Sequence, residues 1–243
     1  MTNKPFTYDN DGITRFVVLF EGRTGSSYVM HALDSHPNII ARGEMLVKIS
    51  EQHQHQRIYD LYQKDCIETP NTQAVGFKTK LRDVKNPEEF ATILQNHNVK
   101  IVMMFRKNLV KLALSRLNAQ RLFKATGTWN STNKTDALAP LEVAPEEFNE
   151  ALEFRKQKDS DLRNWVKDNF DHLPTSRLTL YYEDLLIKPE QFFSSIFTYL
   201  HTPPSILESP LKKTTPDNMR KALVNYDEIK SYYDNTPYAY MFD

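Results

Sequence analysis

The stretch that decides the fold covers residues 15–34 and reads RFVVLFEGRTGSSYVMHALD. Its first six residues form an unbroken β-prone apolar run, which is typical of a strand buried on both faces. Gly22 and Gly25 interrupt the run, and residues 26–34 have the composition of a helix that ends before Pro37. The stretch therefore predicts a strand, a short glycine loop and a helix.

The same alternation continues along the chain. Further strands are predicted at residues 74–80, 100–105 and 178–182, and helices at residues 108–123 and 189–200 and from Pro87 onward. Alternating strands and helices favour an α/β fold with a parallel sheet and helices on both faces.

Two segments break the alternation, and we expect both to belong to one domain. Residues 124–144 are polar and rich in turn-forming residues, so we interpret them as a loop. Residues 203–243 combine prolines with a cluster of tyrosines and predict a packed tail with short helices. Neither segment has enough apolar residues for a core of its own, so the 243 residues predict a single domain.

Composition excludes several classes of protein. Lys plus Arg equals Asp plus Glu at 31 each, so the chain has no net field for nucleic acid or anionic lipid, and an anion site must be built locally. The longest apolar runs have the length of strands, and no signal peptide is recognised in residues 1–20, so we expect no membrane span. Cys66 is the only cysteine, which excludes a disulfide framework and favours the cytoplasm.

The glycine loop is a candidate anion site. Unpaired N–H groups and the positive end of the helix dipole meet at a helix N-terminus that follows a strand. Ser26 and Ser27 add hydroxyl donors there, and Arg23 adds a full positive charge. The alternative is an ordinary strand-to-helix turn with Ser26 as the capping residue.

A nucleotide kinase is the obvious rival. Its phosphate loop requires G-x-x-x-x-G-K-[ST], whereas here the glycines are closer together and Ser26 stands at the lysine position. Such enzymes also hold Mg²⁺ with an acid at a strand end, and the strand over residues 100–105 is followed by Arg106. This pattern favours an anion site that needs no metal.

Residues 20–28, Phe-Glu-Gly-Arg-Thr-Gly-Ser-Ser-Tyr, resemble the 5′-phosphosulfate loop of the sulfotransferase family in its bacterial carbohydrate or nodulation-type form. The likeness extends over residues 17–44, 76–119 and 181–200 and the Asn225-Tyr-Asp-Glu228 block. It implies a P-loop-NTPase-like sheet that binds 3′-phosphoadenosine-5′-phosphosulfate (PAPS), releases the product PAP and uses no metal. The residues implied for this loop are Arg23, Thr24, Gly25, Ser26 and Ser27.

The segment from Phe105 to Arg116 resembles the family's 3′-phosphate signature, an arginine at a strand end and a serine on the next helix. Arg106 and Ser115 fit these roles, because a dianionic phosphate suits a guanidinium with a hydroxyl donor at the carboxyl edge of a sheet. Lys107 would give the commoner spacing to Ser115, so the register stays open. A purely structural Arg106 would pair with a carboxylate instead.

Sulfuryl transfer needs a base for the acceptor proton and cations for the leaving phosphate. Glu44, in Arg42-Gly-Glu44, resembles the Gly-Glu element whose glutamate is the proposed base in bacterial members. Its alternative role is that of an acid in the first turn of a helix starting near Met45. Lys78 at a strand end, His31 and His36 are the other candidates, and Lys78 would serve the leaving group or the acceptor.

Three features receive no catalytic role from the sequence. Tyr182-Glu-Asp-Leu185 is interpreted as the end of a strand, and His53-Gln-His55 as a solvated helix face without metal-ligand partners. Trp129 would either stack on a sugar or pin the 124–144 loop to the core.

The sequence supports three functions. The first is a PAPS-dependent transferase acting on a hydroxyl of a carbohydrate, glycolipid or other small molecule, where the carbohydrate rests on analogy with the family. The second is a PAP-binding module that has lost its base. The third is a divergent P-loop kinase, against which the missing lysine and strand-end acid count.

Overall fold

The computed structural model describes residues 12–65, 70–129, 139–172, 177–209 and 218–242. Within these ranges it contains five strands, β1 (Thr14–Phe20), β2 (Ile39–Arg42), β3 (Ala74–Thr79), β4 (Lys100–Phe105) and β5 (Arg177–Tyr181). The α-helices are α1 (Ser26–Asp34), α2 (Glu51–Tyr59), α3 (Pro87–Asn96), α4 (Leu109–Thr126), α5 (Pro145–Phe170), α6 (Tyr182–Ile187), α7 (Pro189–Leu200) and α8 (Tyr226–Tyr232).

The five strands form one parallel sheet in the order β2-β3-β1-β4-β5. The central strand β1 lies between β3 and β4, and the chain crosses from one side of β1 to the other between them. In open α/β sheets a ligand binds outside the carboxyl ends of the strands at such a switch point. The loops after β1, β3 and β4 therefore meet at the edge where the sequence predicts the anion site.

Helices cover both faces of the sheet, as the alternating pattern predicts. On one face Val17, Leu19 and Phe77 pack with residues of α2, α3 and the C-terminal half of α5. On the other face Phe16 and Val18 pack with residues of α1 and α7. Because β1 is covered by helices on both faces, its residues form an unbroken apolar run.

A third apolar cluster joins the tail to the rest of the domain. It combines residues of α4 and the N-terminal half of α5 with α8 and the 3₁₀ turn Ala239–Phe242. Tyr233 is fully buried there, and its hydroxyl donates to Asn149 at 3.1 Å. Much of the 124–144 loop, residues 130–138, lies outside the described residues.

Several local predictions were wrong or incomplete. The sequence analysis missed β2, which has only four residues, and α5, which is long but has charged residues on most of its surface. The helix after Glu44 begins at Glu51 and not near Met45, because the Ser50 side chain caps it by accepting from the His53 N–H. No helix within the described ranges has both the length and the hydrophobicity needed to span a bilayer.

Candidate functional site

The loop between β1 and α1 leaves the N-terminus of α1 without a side-chain cap. Its N-cap residue is Gly25, with φ 79° in the left-handed region, and not Ser26 as the alternative required. By contrast, α2, α3 and α4 each begin with a side-chain cap, from Ser50, Asn86 and Asn108. The first N–H groups of α1 can therefore bind an external anion.

Two features require glycine at position 25, a positive φ and the close approach of the Tyr182 ring. A Cβ atom there would lie 2.7 Å from Cδ2 of Tyr182, the first residue of α6. We expect Gly25→Ala to lower the free energy of unfolding by at least about 1 kcal/mol, because an L side chain is strained in this region and the Tyr182 ring must move. Gly22→Ala is the matched control, since a Cβ there meets nothing within 4 Å. Equal stability of the two variants in denaturant unfolding would contradict this reading.

Arg23 connects the loop to α4. Its Nε donates to Ser115 Oγ at 3.2 Å, and its Nη1 donates to the Trp129 carbonyl at 2.9 Å. The Trp129 ring stacks on Phe123, with centroids 4.4 Å apart. Trp129 therefore contacts Arg23 through its backbone carbonyl, while its ring stacks on the exposed ring of Phe123.

Arg106 lies beside this group and is 9% exposed at its side chain. Its guanidinium carbon lies 4.8 Å from the centroid of the Tyr182 ring, and its Nε, 3.8 Å from a Glu183 oxygen, makes no hydrogen bond within the described residues. Burial and the charge of Arg106 lower the pKa of Arg23. The Thr24 hydroxyl is buried and also lacks a partner among the described residues. Two half-buried arginines and a buried hydroxyl without a partner among the described residues suit a multiply charged anion.

Lys107 points elsewhere. Its Nζ lies 2.7 Å from Asp184 at the surface, and its side chain is 52% exposed. The Glu183 carboxylate accepts from the N–H groups of Lys107 and Asn108, at 2.9 and 3.1 Å. Glu183 thus binds the backbone before α4, and Asp184 binds the Lys107 side chain. Arg106, and not Lys107, lies with Arg23 and Ser115.

A second group surrounds Glu44, just beyond β2. Lys78 Nζ donates to Ser27 Oγ at 2.6 Å and lies 3.3 Å from Glu44 Oε1. The other Glu44 oxygen accepts from Lys80. The amino groups of Lys78 and Lys80 each lie 4.8 Å from the Phe20 ring centroid. Ser27 belongs to the first turn of α1, so the Glu44 group adjoins the anion loop.

The two lysines set the charge state of Glu44. Burial raises the pKa of the Glu44 carboxyl, but the hydrogen bond from Lys80 and the charges of Lys78 and Lys80 outweigh burial, and the pKa lies below its usual value. Burial lowers the pKa of Lys78, and the Glu44 carboxylate opposes that effect. Glu44 is therefore ionised at neutral pH and able to accept a proton.

The two histidine candidates lie away from this group. His31 is exposed in the last turn of α1, at the opposite end of the helix from the loop. His36 is buried, its Nδ1 accepts from the Asn38 N–H at 3.0 Å, and its Nε2 lies 2.8 Å from the Pro203 carbonyl. Both ring nitrogens of His36 are thus engaged in the turn after α1.

His55 has partners that the sequence did not indicate. Potential ligand atoms of Glu51, His55 and Glu89 lie within 4.8 Å of one another. The statement that His55 lacks such partners was therefore wrong. The Asn86 amide donates to both carboxylates and His55 pairs with Glu89 at 3.3 Å, so the exposed side chains satisfy one another.

Three residues of the site were missed in the sequence. Lys80 was overlooked because it lies one residue beyond β3, although it shares the period of two with Lys78. Tyr182 and Glu183 were interpreted as a strand end, whereas β5 stops at Tyr181 and Tyr182 begins α6. The sheet order places that helix start beside Gly25 and Arg106.

Comparison with known proteins shows which proteins the chain resembles. No family model matches it. It is 26% identical to Nodulation protein H of Rhizobium tropici over 240 residues, which cover 94% of this chain and 92% of the relative. It is 24% identical to Nodulation protein H of Rhizobium meliloti, with 94% of each chain covered. A solved sulfotransferase from Alicyclobacillus acidocaldarius matches with a TM-score of 0.51 and 14% identity over 94% of each chain. The chain is thus similar to the sulfotransferases.

The sulfotransferase resemblance and the α/β class with one parallel sheet are thereby confirmed. In this chain the glycine loop follows the carboxyl end of the central strand, β1. The individual site residues remain predictions, and they form two adjoining groups. One contains Arg23, Arg106 and Ser115, and the other contains Ser27, Lys78 and Glu44.

Proposed function

We propose that the chain transfers the sulfuryl group of PAPS to an acceptor hydroxyl. The observation that carries the proposal is that two polar groups adjoin at one edge of the sheet. The first group offers two half-buried arginines and a serine hydroxyl for phosphate. The second offers a carboxylate and a lysine beside the first turn of α1.

We assign the 5′-phosphosulfate to residues 23–27, because the uncapped N-terminus of α1 favours an anion there. Arg106 and Ser115 are assigned to the 3′-phosphate. The buried Nε of Arg106, which makes no hydrogen bond within the described residues, supports that role, since a charge-assisted hydrogen bond would satisfy it.

Glu44 is assigned as the base. It takes the proton of the acceptor hydroxyl, the acceptor oxygen forms a bond to sulfur, and the bond between sulfur and the phosphate oxygen of PAPS breaks in line. Lys78 and Arg23 hold the negative charge that develops on the leaving phosphate. PAP leaves with that electron pair, and Glu44 returns its proton to solvent.

For the acceptor we propose a hydroxyl of a carbohydrate or glycolipid, on the strength of the bacterial carbohydrate-type loop. Residues 124–144 are proposed to lie on the acceptor side, because Trp129, within this segment, contacts Arg23 through its backbone carbonyl. A cytoplasmic location is proposed from the single cysteine.

Binding of PAP tests the nucleotide site without knowledge of the acceptor. We expect calorimetry to detect PAP binding to the full chain with EDTA present, because the assigned groups are cations, hydroxyls and backbone N–H groups that bind an anion directly. Adenosine 5′-phosphate, which lacks the 3′-phosphate, is the control and should bind more weakly. Loss of PAP binding in EDTA, restored by Mg²⁺, would favour the kinase alternative.

Transfer of labelled sulfate from PAPS to a panel of sugars, glycolipids and phenols separates the enzyme from a silent binding module. The enzyme labels at least one acceptor class. PAP binding without any transfer would favour the module.

A further inference from the structure

The carboxyl edge of the sheet carries a second charged group that the proposed transfer does not use. It starts at Glu21, which follows β1 directly and is 2% exposed. Arg155, at the middle of α5 and equally buried, lies 3.7 Å from Glu21 through Nη1 and donates to Asp159 through Nη2 at 3.2 Å. Within the described residues, Glu21 Oε2 and Arg155 Nε make no hydrogen bond.

Two further arginines flank this pair. Arg116 follows Ser115 on α4, is half-buried, and has its guanidinium carbon 3.9 Å from the centroid of the Phe154 ring, next to Arg155. Arg82 is exposed in the 3₁₀ turn Leu81–Asp83 after β3. Leu19 pairs with Thr79 in the parallel register. Two residues further along each strand, Glu21 is at the position equivalent to Leu81, the first residue of that turn.

The charges in this group do not balance. Arg82, Arg116 and Arg155 outnumber the carboxyl groups of Glu21 and Asp159, and burial raises the pKa of Asp159 to about 6, against the charges of Arg155 and Arg163. Burial also raises the pKa of Glu21, although Arg155, Arg82 and Lys80 oppose it. The pKa of Arg116 is lowered by its burial and by the charges of Arg155 and Arg82. Positive charge therefore exceeds negative charge in a partly desolvated place, where an added anion is stabilised.

Partners for such an anion are available. Within the described residues, neither Arg82 nor Arg116 has a hydrogen bond or an ion pair, apart from the contact of Arg116 with Phe154. A guanidinium binds a carboxylate or a phosphate ester with two parallel hydrogen bonds.

The position of the group connects it with the acceptor. Glu21 precedes Gly22 of the phosphosulfate loop, and Arg116 is the neighbour of Ser115, which contacts Arg23. Lys80 acts on Glu21 electrostatically and contacts Glu44. The group therefore borders the assigned nucleotide and base residues without belonging to either set.

We propose that Arg82 and Arg116, held beside the buried Glu21–Arg155 pair, bind an anionic group of the acceptor, a carboxylate or an ester phosphate on a sugar. This inference rests on the proposed function, since it names the class of acceptor that the enzyme takes: an acidic saccharide.

The test measures sugar binding to the full chain after saturation with PAP, so that no probe can bind in the nucleotide site. The probes are methyl β-glucuronide, glucose 6-phosphate and neutral methyl β-glucoside. We expect calorimetry or ligand NMR to give at least a tenfold lower Kd for one or both anionic sugars than for the glucoside. Comparison of the two anionic sugars decides between a carboxylate and a phosphate ester.

Variants assign the preference to the two arginines. Arg82→Gln should reduce the preference at least threefold, and Arg82→Gln with Arg116→Gln should abolish it. Lys167→Gln is the matched control, because it removes one exposed positive charge from the far end of α5, the helix that carries Arg155. Unchanged melting temperature and PAP affinity show that each variant is folded.

Two results would overturn the inference. One is equal binding, or no binding, of charged and neutral sugars to the wild-type chain, and the other is a preference that survives the double substitution. A chain that fails to bind PAP would instead refute the proposed function. In that case the same sugar titrations without PAP still decide whether the arginines bind an anion.

Discussion

Replacing Arg106 with alanine should weaken PAP binding by about 2–4 kcal/mol, which is a loss of affinity of roughly 30-fold to 1000-fold. The reason is the position of the side chain, buried against Tyr182 beside Arg23, with an Nε that has no hydrogen bond within the described residues. A guanidinium that is already desolvated loses little on binding a phosphate and gains a charge-assisted pair. Calorimetric titration with PAP measures this loss.

Two controls show which phosphate Arg106 binds. Adenosine 5′-phosphate should lose much less affinity than PAP in the Arg106→Ala variant, because it lacks the 3′-phosphate. Lys107→Ala should change PAP affinity less than about threefold, since Lys107 pairs with Asp184 at the surface. Equal losses for both nucleotides would show that Arg106 does not bind the 3′-phosphate, and a large effect of Lys107→Ala would move the assignment to the neighbouring residue.

The structure also explains why the sequence left the register of Arg106 and Lys107 open. Consecutive residues at a strand end point in opposite directions, and spacing to Ser115 alone does not tell which one faces the loop. The deciding contacts come from Tyr182, Glu183 and Asp184, about 75 residues later in the chain. Only the pairing of β4 with β5 brings that segment to Arg106.

Three of the four strands that the sequence predicted share one physical property. The runs in β1, β3 and β4 are apolar on both faces, and burial in the sheet is the only way to remove them from water. The four-residue β2 has no comparable run, and α5 buries a stripe of apolar residues among many charged ones. A local window detects such elements poorly, because their place is set by partners that are distant in the chain.

The contacts of the candidate base, too, were only partly predictable from the sequence. The Arg42-Gly-Glu44 element pointed to a carboxylate, and Lys78 was expected nearby. The sequence did not indicate that Lys80 would bind the other carboxylate oxygen, or that Ser27 would bind Lys78. These contacts depend on the register between β2 and β3, in which Arg42 pairs with Phe77.

Replacing Glu44 with glutamine should lower turnover by about 10²–10⁴, while PAP affinity stays within about threefold. The amide keeps the size of the side chain and can still contact Lys78 and Lys80, but it cannot accept a proton. The measurement is the rate of sulfate transfer from saturating PAPS to an acceptor identified in the panel, together with calorimetry of PAP. Because the pKa of Glu44 lies below its usual value, the wild-type rate should fall on the acid side only below the ordinary pKa range of glutamate.

Asp83→Asn is the matched control for this substitution. Asp83 lies 3.5 Å from the Lys80 amino group, so the change removes a second carboxylate from the same lysine and leaves Lys78 in place. If Glu44 acts only by balancing the lysine charges, both variants should lose activity to a similar degree, and the loss should appear in PAP affinity as well. If Glu44 is the base, Asp83→Asn should keep turnover within about threefold of the wild type, and only Glu44→Gln should remove it. Full turnover in Glu44→Gln would exclude the carboxylate as base and leave Lys78, whose pKa is lowered by burial, as the remaining titratable candidate beside Ser27.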